Sequence, residues 1–390
     1  MDANSATALT EGVWAELIGQ ERVVATLRRA VAGGRHAMTH AWLVTGPPGS
    51  GRSNAARAFA AALQCPDGGC GRCRECTTAL SGAHPDVTLV RTEKLSIGVD
   101  EVRDLVRRAA MAPTLGRCQV LIVEDADRVT ERGADALLKA IEEPAARTVW
   151  LLCAPSADDV IVTIRSRCRR VELSTPSAEA IAELLQRRDQ IEPATAAFAA
   201  RVSQGHVGRA RALARNPAAR EQRARVLAIP QRLNSLGECL AAAAAVVQSA
   251  TDEAARLTSE LDSRERAELS EALGMTTKGA RPRNAQAALG ALEDEQKLRA
   301  KRMQRDALDR VLTELTSYYR DVLVLQTGAG NELINSEFAE PIADLAGRIT
   351  PAATVQRLDA LLACRTALET NVAPLLAMES LMLALAGATR

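Results

Sequence analysis

Residues Gly46-Pro47-Pro48-Gly49-Ser50-Gly51-Arg52-Ser53 nearly spell a phosphate-binding loop. The pattern G-x-x-x-x-G-K-[ST] is kept except that Arg52 stands where lysine belongs. Such a loop works because its glycines turn consecutive backbone N–H groups into one concavity at a helix N-terminus. The lysine adds a compact ammonium that reaches the β- and γ-phosphates. A guanidinium keeps that charge but is planar, larger and more diffuse. The chemistry on offer is therefore phosphate binding with the residue most important for hydrolysis exchanged. The flanks suit the motif: the apolar run Ala41 to Thr45 precedes it and an Ala-rich helical run, Asn54 to Leu63, follows.

A second phosphate-chemistry signal is the apolar run Val120 to Val123 ending in Glu124-Asp125. In a strand-end acid pair the first carboxylate serves a magnesium ion and the second polarises the attacking water. The usual order is Asp then Glu. Here it is inverted, which displaces each carboxylate by about a methylene, and misplacement on the order of 1 Å can cost ~10²-fold in rate. The alternative reading is that the two acids merely cap a strand.

Four of the nine cysteines fall together, at Cys65, Cys70, Cys73 and Cys76, with Gly68, Gly69 and Gly71 supplying turns. Four thiolates so spaced can close on one tetrahedral Zn²⁺ with no position left open, a structural site. An iron–sulfur cluster competes, because successive C-x2-C spacings occur there too. Ser166-Arg167-Cys168 precedes the strand-like run Arg170 to Leu173, in a neighbourhood that also reads as a solvated basic edge. His36, His40, His84 and His206 are dispersed without ligand or triad spacing and read as surface or satisfied core residues. Arg201 to Arg225 is arginine-rich with Glu221 as its one acid, either a solvated helix face or a phosphate-tracking surface.

The elements that must position these residues fall into two regimes. Up to about residue 174, strand-like runs (Ala41–Thr45, Asp86–Arg91, Val120–Glu124, Thr148–Cys153, Arg170–Leu173) alternate with helical patterns. The helical patterns are Gln20–Ala32, Ser53–Leu63, Val99–Met111 and Glu131–Glu142. That alternation predicts βαβ units and a mostly parallel sheet covered on both faces. Beyond Thr175 the pattern is helical. We expect a core over residues 1–174 with a zinc insert at 65–76, a three-helix lid over 175–226, and an all-α domain over 227–390. A basic loop, Gly274 to Arg283, interrupts the last of these.

The chain has 390 residues, 47% of them apolar and 25% charged, with a net charge of +1. That balance gives no global attraction to nucleic acid or membrane. Aromatics make up only 2%, too few for a single-strand platform that stacks bases. The opening residues lack the basic and apolar segments of a signal peptide, and no apolar run is long enough to span a bilayer, so a cytoplasmic location is expected.

The near phosphate loop, the four-cysteine insert after its helix, the inverted acid pair, Ala136-Leu137-Leu138-Lys139-Ala140-Ile141-Glu142-Glu143-Pro144 and Ser166-Arg167-Cys168 together resemble one family. They are similar to the delta-prime subunits of the bacterial DNA polymerase III clamp loader, and to the related tau/gamma subunits that share the AAA+ core. Leu17-Ile18-Gly19-Gln20-Glu21 matches the stretch that lies against the nucleotide base in that family. The motif-level likeness runs from about Leu17 to Leu213; the remainder matches only in being helical.

The resemblance implies an α/β AAA+ core, a helical lid and an all-α collar through which subunits assemble into a hetero-oligomer. It implies tau/gamma and delta subunits, the sliding clamp and primer-template DNA as partners, and a place in a DNA polymerase holoenzyme with no polymerase site of its own. It also implies that Arg167 is an arginine finger, acting on the γ-phosphate held by a neighbouring subunit. The departures concern the chain's own pocket. Gly46, Gly49, Gly51, Arg52, Ser53, Glu124 and Asp125 form a degenerate nucleotide site. Cys153-Ala154-Pro155 replaces the polar sensor of the tau/gamma subunits, and Arg209 comes one residue late in the lid, turned by about 100° around its helix. The expectation is a largely non-hydrolysing subunit with weak or absent ATP binding. An ATP-hydrolysing, tau/gamma-like motor and a zinc-dependent DNA-binding module are the alternatives.

Overall fold

The computed structural model describes residues 11–33, 37–92, 96–273, 285–370 and 372–387. His36 and the basic loop Gly274–Arg283 lie outside the described residues. The chain divides into two compact units, Met1–Arg215 and Asn216–Arg390.

The first unit is built on five strands: β1 (Ala41–Thr45), β2 (Val87–Val90), β3 (Gln119–Val123), β4 (Thr148–Ala154) and β5 (Arg169–Glu172). All pairings are parallel, and the order is β2-β3-β4-β1-β5. Strands β1, β3 and β4 are buried at every residue, which is why they read as unbroken apolar runs rather than alternating ones. Alternate side chains nonetheless serve different faces. Trp42, Val44, Val120, Ile122 and Leu151 join a core with helices α1 (Glu21–Val31), α2 (Arg52–Gln64) and α3 (Arg74–Ser81). Leu43, Leu121, Val123, Trp150 and Leu152 join another with α4 (Val99–Ala109) and α5 (Glu131–Glu142). The period of two along each strand thus sets which helix it packs against.

A one-turn helix, α6 (Val162–Arg165), leads into β5. Then α7 (Ala178–Asp189), α8 (Pro193–Ser203) and α9 (Val207–Arg215) complete the unit. The next helix, α10 (Pro217–Leu227), falls on the far side of the division at residue 216, so the first unit ends one helix before the sequence boundary near 226. Its Arg223 explains the grouping. Buried within the second unit, Arg223 pairs with Glu314 at 3.1 Å and also meets Glu337 and the Asn335 side chain.

The second unit continues with two long helices, α11 (Leu236–Ala272) and α12 (Ala285–Thr327), then α13 (Ala339–Arg348), α14 (Pro351–Glu369) and α15 (Pro374–Ala386). Its core is led by Leu308, Leu312, Leu315, Tyr318, Tyr319, Met378 and Met382. Towards the far ends of α11 and α12 the packing turns polar, with Arg299 held by Asp262 and Glu265 at 2.9 Å each. No helix among the described residues is long and apolar enough to cross a membrane.

Candidate functional site

Parallel strands place their C-terminal ends on one edge, and that edge collects the first two motifs. The near phosphate loop leaves β1, which lies between β4 and the edge strand β5, and enters α2 through Gly51, whose φ is +93°. The loop is tied down at its start, where Gly46 N–H donates to the Pro155 carbonyl at 3.2 Å, and within, where Ser50 N–H donates to the Pro47 carbonyl at 3.1 Å. The Arg52 guanidinium turns back and donates to the carbonyl of Gly46, at the mouth of its own loop. Ser53 occupies the second position of the helix.

Gly49 explains the shape of this site. Its φ is +84°, and a Cβ placed on it would lie 2.3 Å from Cγ of His206. His206 therefore rests directly on the loop. Its Nδ1 accepts from the Arg209 N–H at 3.2 Å, capping the N-terminus of α9. Crowding by surrounding atoms, with the nearby charge of Arg209, lowers its pKa from the usual histidine value. His206 is exposed, as the sequence reading of a surface residue expects; its contact with the loop is what the sequence does not mark, beyond its place between Gly205 and Val207 at a helix start. The lid meets the core elsewhere too. Arg188 pairs with Glu16, and Arg211, itself held by Asp189 at 2.9 Å, brings Nη1 within 3.9 Å of the same Glu16 carboxylate.

Strand β4 lies between β1 and β3, so the acid pair after β3 faces the loop across the end of β4. At that end Cys153 is fully buried, with its Sγ 4.0 Å from the Arg52 carbonyl. Burial pushes its thiol up to about 12, and the neighbouring Glu124 adds to the shift. A neutral thiol there supplies neither the polar side chain nor the charge of a γ-phosphate sensor.

Glu124 is already occupied. Arg57, one and a half turns into α2, donates from Nη2 to Oε1 at 3.0 Å, and Arg91 brings Nε within 3.9 Å of Oε2. The carboxylate is largely buried between them. Neither arginine was singled out from sequence, because the pairing joins a helix to a strand end far along the chain. Asp125 sits at the start of a 3-10 turn, Ala126–Arg128. Beside it, burial foremost and then the charge of Asp125 raise the pKa of Asp127, against the pull of Arg52. Magnesium, the ion that an acid pair of this kind implies, does not fit this arrangement. It needs near-octahedral oxygen ligands at about 2.0–2.1 Å, and the first carboxylate is covered by guanidinium groups.

The cysteine insert gives the opposite result. The sulfurs of Cys65, Cys70, Cys73 and Cys76 all lie within 4.8 Å of one another. Cys65 is 3.7 Å from both Cys70 and Cys73. Sulfurs at ~2.3 Å from one tetrahedral ion are about 3.8 Å apart, so the four residues fit a single ion. They are too close to enclose several irons with their bridging sulfides. Backbone N–H groups of Cys70, Gly71 and Cys76 point at the sulfurs of Cys65, Cys76 and Cys73, each at 3.4 Å. At Cys70, N–H groups of Arg72 and Cys73 draw the thiol down to about 6, whereas burial raises Cys76. The insert also anchors the segment before α1: Val13 N–H donates to the Gly69 carbonyl at 3.1 Å, and Val13 and Trp14 share a core with Cys65 and Cys76.

Arg167 follows α6 and is exposed. It donates to the Thr163 carbonyl at 2.9 Å and pairs with Glu142, at the end of α5, at 2.6 Å. Neither residue belongs to the loop or the acid pair. Several arginines of the Arg201–Arg225 stretch are engaged internally: Arg211 and Arg215 on Asp189, Arg223 in the second unit's core, Arg225 on Gln222. A stretch so committed serves packing more than phosphate tracking.

A parallel β2-β3-β4-β1-β5 sheet with a phosphate loop after β1 and acids after β3 defines an AAA+ core, here joined to a helical C-terminal unit. The profile described as DNA polymerase III, delta subunit matches residues 19–177, and that of the delta subunit, C terminal, matches residues 265–387. Taken together, the two matches place the chain in the DNA polymerase III delta-subunit family. It is 38% identical to the delta-prime subunit of Pseudomonas aeruginosa over 170 residues, covering 42% of this chain and 52% of that one. It is 38% identical to the gamma/tau subunit of Mycobacterium bovis over 159 residues, covering 40% of this chain and 27% of that one. The chain thus spans about half the delta-prime relative and less of the gamma/tau one. Among solved structures, a gamma subunit-related protein of Thermotoga maritima is similar over 92% of this chain and 96% of that one, at 16% identity and a TM-score of 0.41.

Proposed function

We propose that the chain is a delta-prime-type subunit of the DNA polymerase III clamp loader, one that does not hydrolyse ATP and completes the ATP site of a neighbour. It works in the cytoplasm, in a hetero-oligomer with tau/gamma and delta subunits that places the sliding clamp on primer-template DNA. Zn²⁺ is the ion of the cysteine site, where it cross-links the loop that holds Val13 and Trp14 against α2.

The observation that carries this reading is the contrast between two charged groups. Glu124, needed for the chain's own chemistry, is buried under Arg57 and Arg91. Arg167, useless to its own pocket, is exposed and held by one surface ion pair to Glu142 and by hydrogen bonds to its own turn, the Thr163 carbonyl and Ser166 Oγ. Pairs of that kind are worth about 0–1 kcal/mol, so the guanidinium exchanges Glu142 for a γ-phosphate at little cost. The test is Arg167→Ala in a loader reconstituted with the full chain. ATPase activity of the complex falls several-fold while assembly, read by size-exclusion chromatography, is unchanged. Full turnover in that complex defeats the proposal.

The loop's retained glycine geometry supports a second reading, a hydrolysing tau/gamma-like motor. Its signature is magnesium-dependent turnover by the isolated chain, abolished by Arg52→Ala.

A further inference from the structure

We propose that Arg57 replaces the divalent cation of this site, so that the loop binds a polyphosphate or nucleotide without metal. The inference rests on the non-hydrolysing reading above and gives the altered pocket a ligand class. A magnesium ion in such sites has two tasks, neutralising phosphate oxygens and linking them to the strand-end acid. Arg57 already performs the second, since its Nη2 holds Glu124 at 3.0 Å, and the helix that carries it opens at the loop, which assigns it the first. A guanidinium has five donors in a fixed fork and forms charge-assisted bonds to phosphate oxygens. Arg91, on the other oxygen of Glu124, adds to the positive field that a metal ion would have to enter.

Two buried groups lack the partner that a phosphate oxygen would provide. The Nε of Arg57 is buried with no hydrogen-bond acceptor. So is the hydroxyl of Ser50, a residue only 4% exposed, which lies beneath Gly46 inside the loop. Unmet buried donors are costly, and both belong to the loop and its helix. Arg52 bonds a single carbonyl of its loop and retains further N–H groups for an anion.

The experiment is calorimetric titration of the isolated full chain with ATP and, separately, with tripolyphosphate. Each is run in buffer free of divalent ions and again with magnesium; no chelator is used, which keeps the cysteine site loaded. Binding without the ion and no tightening on its addition is the expected result. Equal binding of both probes assigns recognition to the phosphate chain, and binding of ATP alone adds the base; either supports the proposal. Arg57→Ala, checked for folding by tryptophan fluorescence, loses about tenfold or more in affinity and gains dependence on magnesium. Binding that needs magnesium, absence of binding by both probes at millimolar concentration, or unchanged affinity in Arg57→Ala overturns it. Phosphate release, measured on the same samples, tests the non-hydrolysing reading separately.

Discussion

Gly49→Ala probes whether His206 rests on the phosphate loop, and its cost can be worked from two geometric facts. At φ +84° an alanine pays the left-handed penalty, about 1–2 kcal/mol. Its Cβ would also begin 2.3 Å from His206 Cγ, where carbon pairs prefer about 3.5–4.0 Å. The imidazole has to withdraw by roughly an ångström or more, which breaks its cap on the Arg209 N–H, worth ~1 kcal/mol. The sum is about 2–3 kcal/mol in the natural background. With His206→Ala present, the clash and the cap are already gone, and only the backbone penalty remains. The two substitutions should therefore couple by ~1 kcal/mol. Urea denaturation followed by tryptophan emission reads this unit alone, because Trp14, Trp42 and Trp150 are the chain's only tryptophans and all are buried in it. Effects that add to within about 0.5 kcal/mol would show that His206 and the loop do not touch.

Metal analysis of the purified chain should give one zinc per molecule, and Cys70→Ser should lower that content. The same substitution should destabilise the tryptophan-reporting unit by a substantial part of the ~10–16 kcal/mol that structural zinc contributes in small zinc domains. Asp86 is fully buried, and burial alone would raise its carboxyl; N–H groups of Thr114, Gly116 and Leu115 outweigh that and hold it below the usual value. Its contribution is present above the ordinary carboxylate pKa and lost as pH falls through the lower folded value. Asp86→Asn should cost about 3 kcal/mol or more at neutral pH and flatten the acid limb of the stability profile. For His206 the depressed pKa means the unfolded chain takes up the proton first, so stability declines as pH drops below about 6.5. His206→Gln should remove that slope, and an unchanged slope would locate it in another group.

Features that depend on neighbours along the chain are legible in the residues alone. Buried parallel strands announce themselves as unbroken apolar runs, helices by their 3.6-residue period, and the phosphate loop by glycines that only a tight turn requires. All five strands and the helices α1, α2, α4 and α5 lie within a few residues of where those signals placed them, whereas α3 begins inside the cysteine insert, where only a metal site was read. Four cysteines within one short insert likewise proclaim a shared task before any distance is known. Features that depend on which strand lies beside which emerge only once the chain is folded. Inserting β4 between β1 and β3 brings Cys153, Arg52 and Glu124 together, and no local pattern encodes that insertion. Arg57 and Glu124 are 67 residues apart, and Gly49 meets His206 across the lid. Charge and shape complementarity act through space and leave no periodic mark on the chain. Pro217–Leu227 belongs with the second unit for the same reason, since its buried Arg223 finds its acids there and not along its own helix.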